Sequence, residues 1–97
     1  MRRHPQAAAP FSPGPPDLAI EIILPRDRAG EIDEKVQDWL GHGCQAVWLV
    51  NPTTRTVTVF RSRLDITVLT AADTLREPGL LPGFELPVRE AFAIPQP

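Results

Sequence analysis

A glutamate in the middle of an apolar run, and an amine fourteen residues after it, are the two chemically loaded positions of this chain. Glu21 stands within Leu18-Ala19-Ile20-Glu21-Ile22-Ile23-Leu24, and Lys35 is the single lysine beside nine arginines. A carboxylate set in an oily strand is costly to desolvate unless a cation or a donor compensates it. A hard divalent cation such as Mg²⁺ takes carboxylate oxygens and keeps several waters. An ammonium can lose its proton on burial, which a guanidinium in practice cannot. Together these are components of metal-assisted hydrolysis of a phosphate ester. Asp17 lies four positions before Glu21 and so shares its strand face. Four residues of strand span about 13 Å, so both acids reach one ion only if the chain bends near Pro16. Each residue also has a plainer reading. Glu21 would be a strand-edge glutamate with its head in solvent, Asp17 a polar strand-start residue, and Lys35 the partner of Glu31 at i−4, a pair worth roughly 0.3 kcal/mol.

The elements that must position these groups follow from hydrophobic period. Leu18–Leu24 is bounded by Pro16 and Pro25 and reads as a buried strand. Asp27 is the expected N-cap of a helix from Ala29 to Leu40, whose apolar stripe is Ile32, Val36, Trp39 and Leu40. Gly41 and Gly43 stop it. Lys35 falls at the margin of that stripe, where its stem can lie along the sheet and carry the ammonium to the strand's end. Arg26 and Arg28 flank the strand-to-helix turn and, with the helix N-terminus, are candidates to bind an anion such as nucleic-acid phosphate. Ala46–Val50 is a continuous apolar run, hence a central strand covered on both faces. Arg55–Arg61 alternates, with Val57 and Val59 on one face, and forms a hairpin with it across Asn51-Pro52-Thr53-Thr54. Ile66–Leu69 is a short further strand. Thr70 is read as the cap of a helical turn, Leu80–Pro87 as an apolar loop on the core, and Val88–Phe92 as a last short helix. The first two strands, joined through a helix, are expected to run parallel with a right-handed crossover.

The totals narrow the class. Ninety-seven residues make one small domain with a thin core. Net charge is −2, which does not suit a general nucleic-acid-coating protein. The single cysteine, Cys44, forms no intrachain disulfide, and no apolar run approaches a membrane span, so a cytoplasmic location is expected. His4 and His42 lack partners at metal-ligand spacing. Cys44, Trp39 and Trp48 read as core. Five of the twelve prolines fall in the first sixteen residues, so residues 1–15 are expected to form a disordered proline-rich tail and 16–97 the domain.

From Pro16 onward the order of blocks resembles a known family. Pro16-Asp17-Leu18-Ala19-Ile20-Glu21-Ile22, Asp27-Arg28-Ala29-Gly30-Glu31, Lys35, Val47-Trp48-Leu49-Val50-Asn51-Pro52 and Leu81-Pro82-Gly83-Phe84 are similar to the C-terminal part of the bacterial Uma-two family, whose members are described as endonucleases of the PD-(D/E)XK restriction-endonuclease-like superfamily. The resemblance implies an α/β fold with a mixed sheet of about four strands and one main helix after the first strand. It implies Mg²⁺ or Mn²⁺ as cofactor, metal ligation by Asp17 and Glu21, catalysis by Glu21 and Lys35, and DNA as partner. Two departures stand out. Leu24-Pro25-Arg26 replaces the usual small polar run. The upstream strand that brings the family's other acid is replaced by a segment with no Asp or Glu before Asp17. The expectation is therefore a truncated endonuclease-like core, weak or inactive as a monomer, completed by a homo-oligomer or an upstream half-domain. The alternative is a non-catalytic interaction or scaffold domain derived from the same fold.

Overall fold

The computed structural model describes residues 16–93, so the tail expected at 1–15 lies outside the described residues. In chain order the elements are β1 (Leu18–Ile22), α1 (Ala29–Gly41), β2 (Ala46–Asn51), β3 (Thr56–Phe60), β4 (Ile66–Leu69), β5 (Thr74–Glu77), β6 (Leu81–Pro87) and α2 (Val88–Ala91). The first four strands form one sheet in the order β1-β2-β3-β4, and β5 and β6 form a second, two-stranded sheet. β1 runs parallel to β2, as a helical crossover between them requires, while β2–β3 and β3–β4 are antiparallel. This is the mixed α/β sheet with a single main helix after its first strand.

Strand alternation divides the interior in two. On the α1 side Ala19, Val36, Cys44 and Val47 are buried together, with Trp39, Leu40, Leu49 and Phe60 packed around them. On the opposite side Trp48, Val57 and Val59 meet Leu75 from β5 and Val88 from α2, with Phe84 and Leu86 against them. Val47 and Trp48 are neighbours in sequence and sit in different cores, which is why the Ala46–Val50 run shows no polar alternation. Turn chemistry fixes the joints. Asn51 Oδ1 accepts the backbone N–H groups of Thr53 and Thr54 and closes the β2–β3 hairpin. Gly43, at φ 97°, lets the chain leave α1 in the left-handed region.

Three local expectations are corrected. Asp27 does not cap α1. Its Oδ2 accepts the Leu24 N–H at 2.7 Å, closing the turn after β1, and Arg28 holds the N-cap position without a side-chain bond. A carboxylate three residues after a free amide satisfies that amide locally before it can reach the helix. Thr70–Asp73 is a turn and not the start of a helix, with Asp73 Oδ2 accepting the Thr70 N–H at 2.7 Å. Leu81–Pro87 is a strand, β6, paired antiparallel to β5 across an irregularity at Arg76/Glu77. Its prolines hid it, since proline is admitted only where a strand needs no donor, as at an edge.

Cys44 Sγ lies 3.1 Å from the Ala46 carbonyl oxygen inside the helix-side core. Burial pushes its thiol above the ordinary range. The unfolded thiol ionises first as pH rises, so the stabilisation is complete below the ordinary thiol pKa and is lost as pH climbs through it toward the folded value. The denaturant midpoint is expected to fall between neutral pH and the alkaline thiol range, and to fall less in Cys44→Ala, as followed by urea titration at each pH.

Candidate active site

Glu21 is the fourth residue of β1 and pairs in register with Leu49 of β2. Alternation turns it to the same face as Ala19, toward α1. Its relative exposure is 0%, which rules out the reading of a strand-edge acid with its head in solvent. Trp39, in the last turn of α1, donates its indole Nε1–H to Glu21 Oε2 at 2.9 Å. The tryptophan read from sequence only as core is thus a partner of the buried carboxylate. A bond to a charged acceptor is stronger than a neutral one and offsets part of its desolvation.

Lys35 lies one helical turn before Trp39 and therefore on the same side of α1. It is half-buried. The two salt bridges among the described residues are Arg61–Glu77 and Arg76–Glu85, so Lys35 is not engaged by Glu31. Asp17 precedes β1 and is exposed. Its Oδ1 accepts from Gln45 Nε2 at 3.1 Å, and its carbonyl accepts the N–H groups of Gln45 and Ala46. These bonds tie the start of β1 to the start of β2. Arg26 and Arg28 are both exposed in the turn between β1 and α1. Beside that turn a cleft of about 390 Å³ is lined by Ile23, Asp27, Ile32, Leu49, Asn51 and Phe60, among others. Glu21 is not part of that lining.

A metal cage demands converging donors. Among the described residues no group of three or more His, Cys, Asp or Glu is placed to hold a metal ion. Glu21 supplies one acid, and Asp17 is committed at the other end of the strand. The described residues by themselves do not fit a resident divalent cation.

A second buried acid was missed in the sequence. Glu77 is 4% exposed and accepts the Trp48 indole N–H at 2.9 Å and the Arg61 Nε–H at 3.3 Å. It occupies the sheet face opposite Glu21, so each face holds one carboxylate bonded to a tryptophan. Nothing in Thr74-Leu75-Arg76-Glu77 distinguishes that acid from a surface residue until β5 is folded onto Trp48.

The sheet order and the single crossover helix place the chain in the nuclease-fold class by their match to a solved structure. The backbone matches the crystal structure of "a putative nuclease belonging to DUF820" from Anabaena variabilis with a TM-score of 0.73 and 26% sequence identity. The alignment covers 81% of this chain and 45% of that one, so the chain spans just under half the length of this relative. A sequence model of the family described as "Uma2: Putative restriction endonuclease" matches residues 2–89, and the chain belongs to that family. The match begins ahead of Pro16, where the block resemblance starts. No curated protein matches the chain.

Proposed function

We propose that residues 16–93 contribute part of a divalent-cation-dependent centre for phosphodiester hydrolysis in DNA, with Glu21 as a metal-binding acid and Lys35 as the amine beside it. The observation that carries this reading is Glu21 itself. A fully buried carboxylate at the centre of a strand, on the face of the helix that bears the only lysine, is an expensive arrangement that packing does not require. A bound Mg²⁺ or Mn²⁺ would supply activation of water and stabilisation of the leaving oxygen. Lys35 would neutralise charge on the phosphate, and Arg26 and Arg28 would hold the backbone of the nucleic acid.

One acid does not close such a cage, so the remaining ligand comes from another polypeptide segment, either an upstream half of the nuclease fold or a second chain. The 97-residue chain alone is then weak or inactive. Its single cysteine is consistent with a reducing cytoplasm, and no helix of the described residues is long and apolar enough to cross a membrane.

The absence of a three-donor cluster favours a second reading, a scaffold domain that keeps the fold without the chemistry. Calorimetric titration with Mn²⁺ and plasmid nicking, each in wild type and Glu21→Gln, separate the two. The nuclease reading expects, once an upstream half-domain is added, Mn²⁺ heat or nicking that Glu21→Gln abolishes, by about 100-fold or more for a group acting in the transition state, while the amide still accepts from Trp39 and thermal stability changes little. A scaffold expects no metal heat and no nicking with an added upstream half-domain, in wild type or in Glu21→Gln.

A further inference from the structure

Two turns meet at one end of the four-stranded sheet. Past β1 the Ile23 N–H still bonds to the Val50 carbonyl at 2.9 Å, and the Asp27 N–H then bonds back to the Leu24 carbonyl. On the neighbouring strand β2 ends at Asn51, which pairs with Thr56 at the base of the β2–β3 hairpin. Adjacent strands lie about 4.8 Å apart, so the turn around Arg26 and the hairpin tip at residues 52–55 stand side by side. Asp27 of the first and Asn51 of the second line the same cleft, together with Ala29 at the start of α1.

The charge of these turns is one-sided. Residues 24–30 and 52–55 hold three arginines, Arg26, Arg28 and Arg55, against one acid, Asp27, in a chain whose net charge is −2. All three arginines are exposed. Within the two sheets and the β3–β4 turn the arginines are tied down: Arg61 to Glu77, Arg76 to Glu85 and Arg63 to the Gln37 side chain. Arg26, Arg28 and Arg55 take no ion pair among the described residues. Asp27 already accepts the Leu24 N–H. Glu31 and Asp33, exposed on the first turns of α1, bound the patch on the helix side.

Arg55 stands out within it. Its φ is 56°, the left-handed region, and no other non-glycine among the described residues has a positive φ. Glycine adopts that conformation without steric cost. The backbone of the hairpin therefore does not ask for arginine, and neither does packing, since the side chain is exposed. What remains to account for this residue is its guanidinium.

We propose that the tip of the β2–β3 hairpin contacts the backbone of duplex DNA, with Arg55 joining Arg26 and Arg28 in one phosphate-binding patch. This rests on the reading of DNA as the partner, and adds to it a residue and an element. A guanidinium is a planar fork of donors that matches phosphate oxygens. The exposed Thr53 beside it offers a hydroxyl of the kind that also bonds phosphate. Such contacts fix a protein on the duplex without reading its sequence. The chain as a whole is acidic, so the affinity is low and falls steeply with salt.

Fluorescence anisotropy of a labelled duplex, with the full chain in EDTA, tests this without metal or cleavage. Wild type is expected to bind at low salt. Arg55→Ala and Arg55→Gly are each expected to make the slope of log affinity against log salt shallower by about 0.9, and to weaken binding about tenfold at roughly 50 mM salt. Arg89→Ala, exposed on α2, is expected to leave both unchanged. Glycine suits the left-handed backbone, so the melting temperature of Arg55→Gly is expected to match or exceed that of wild type, and its weaker binding is not a folding loss. A wild-type slope in Arg55→Gly overturns the proposal. So does a chain that ignores the duplex at low salt, or one that binds phosphatidylserine vesicles in its place. Duplex affinity indifferent to Arg55, beside nicking that Glu21→Gln abolishes, removes this inference and leaves the nuclease reading standing. Affinity that depends on Arg55, with no effect of Glu21→Gln on metal heat or nicking, does the reverse.

Discussion

Trp48→Ala is expected to lower the melting temperature of the domain by about 15 °C or more. Trp48 stands in the central strand β2, buried, with its ring stacked on Phe84 at a centroid distance of 5.7 Å. It joins Val57 and Val59 of β3 to Leu75 of β5 and Val88 of α2, and so connects the four-stranded sheet to the smaller one. Deleting a buried tryptophan ring costs about 3–5 kcal/mol through lost transfer energy and residual cavity. The variant also strands Glu77, which loses the indole donor at 2.9 Å. A fold of this size has roughly 4–12 kcal/mol in total, so the loss takes a third of it or more. Each kcal/mol shifts the melting temperature of a domain this small by about 4–8 °C. A fall of about 15 °C or more is expected by calorimetry, with the Trp48 part of the near-ultraviolet signal lost and that of Trp39 kept. Trp48→Phe keeps the apolar ring and drops the donor, so a smaller loss of about 1–3 kcal/mol is expected from the unsatisfied carboxylate.

Glu77→Ala is the second large effect, and its origin is different. The carboxylate holds two donors from separate elements, Trp48 Nε1 of β2 and Arg61 Nε at the end of β3, and Arg61 also reaches the Arg76 carbonyl. Removing it leaves the buried indole N–H without its acceptor, while the arginine, about a third exposed, turns to water. The arginine pair is therefore discounted for solvent screening. The buried indole and the small cavity give a loss of about 2–3 kcal/mol. Glu77→Gln retains acceptance from Trp48 and is expected to recover most of it. Chemical denaturation of Trp48→Phe, Glu77→Gln and the double variant closes a cycle. Coupling of about 0.5–3 kcal/mol is expected for a pair in direct contact. Additivity of the two losses is the result that would remove the bridge.

The backbone plan was readable because its strongest elements carry local signals. Val57 and Val59 alternate with threonines, and Ile32 and Val36 fall one turn apart, so β3 and α1 follow from period alone. Val47 and Trp48 announce a doubly covered strand. β5 and β6 were not visible, because Thr74–Glu77 is too short for a period to show and Leu81–Pro87 carries two prolines at an edge. Their pairing depends on burial of Leu75 and packing of Phe84 on Trp48, contacts made between residues distant in sequence. Asp27 and Thr70 misled for one reason. Short polar side chains satisfy whichever backbone amide is nearest, and only the chain path decides which that is.

For the site, the sequence by itself determined the oddity of Glu21, the singularity of Lys35 and the spacing that brings both to one helix–strand unit. Those are matters of composition and period, which survive without coordinates. Only the tertiary structure decided that Glu21 is sealed from solvent and bonded to Trp39, that Asp17 is used to fasten β1 to β2, and that Glu77 is the other buried acid. Desolvation and hydrogen bonding arise between elements far apart along the chain, so no local pattern encodes them.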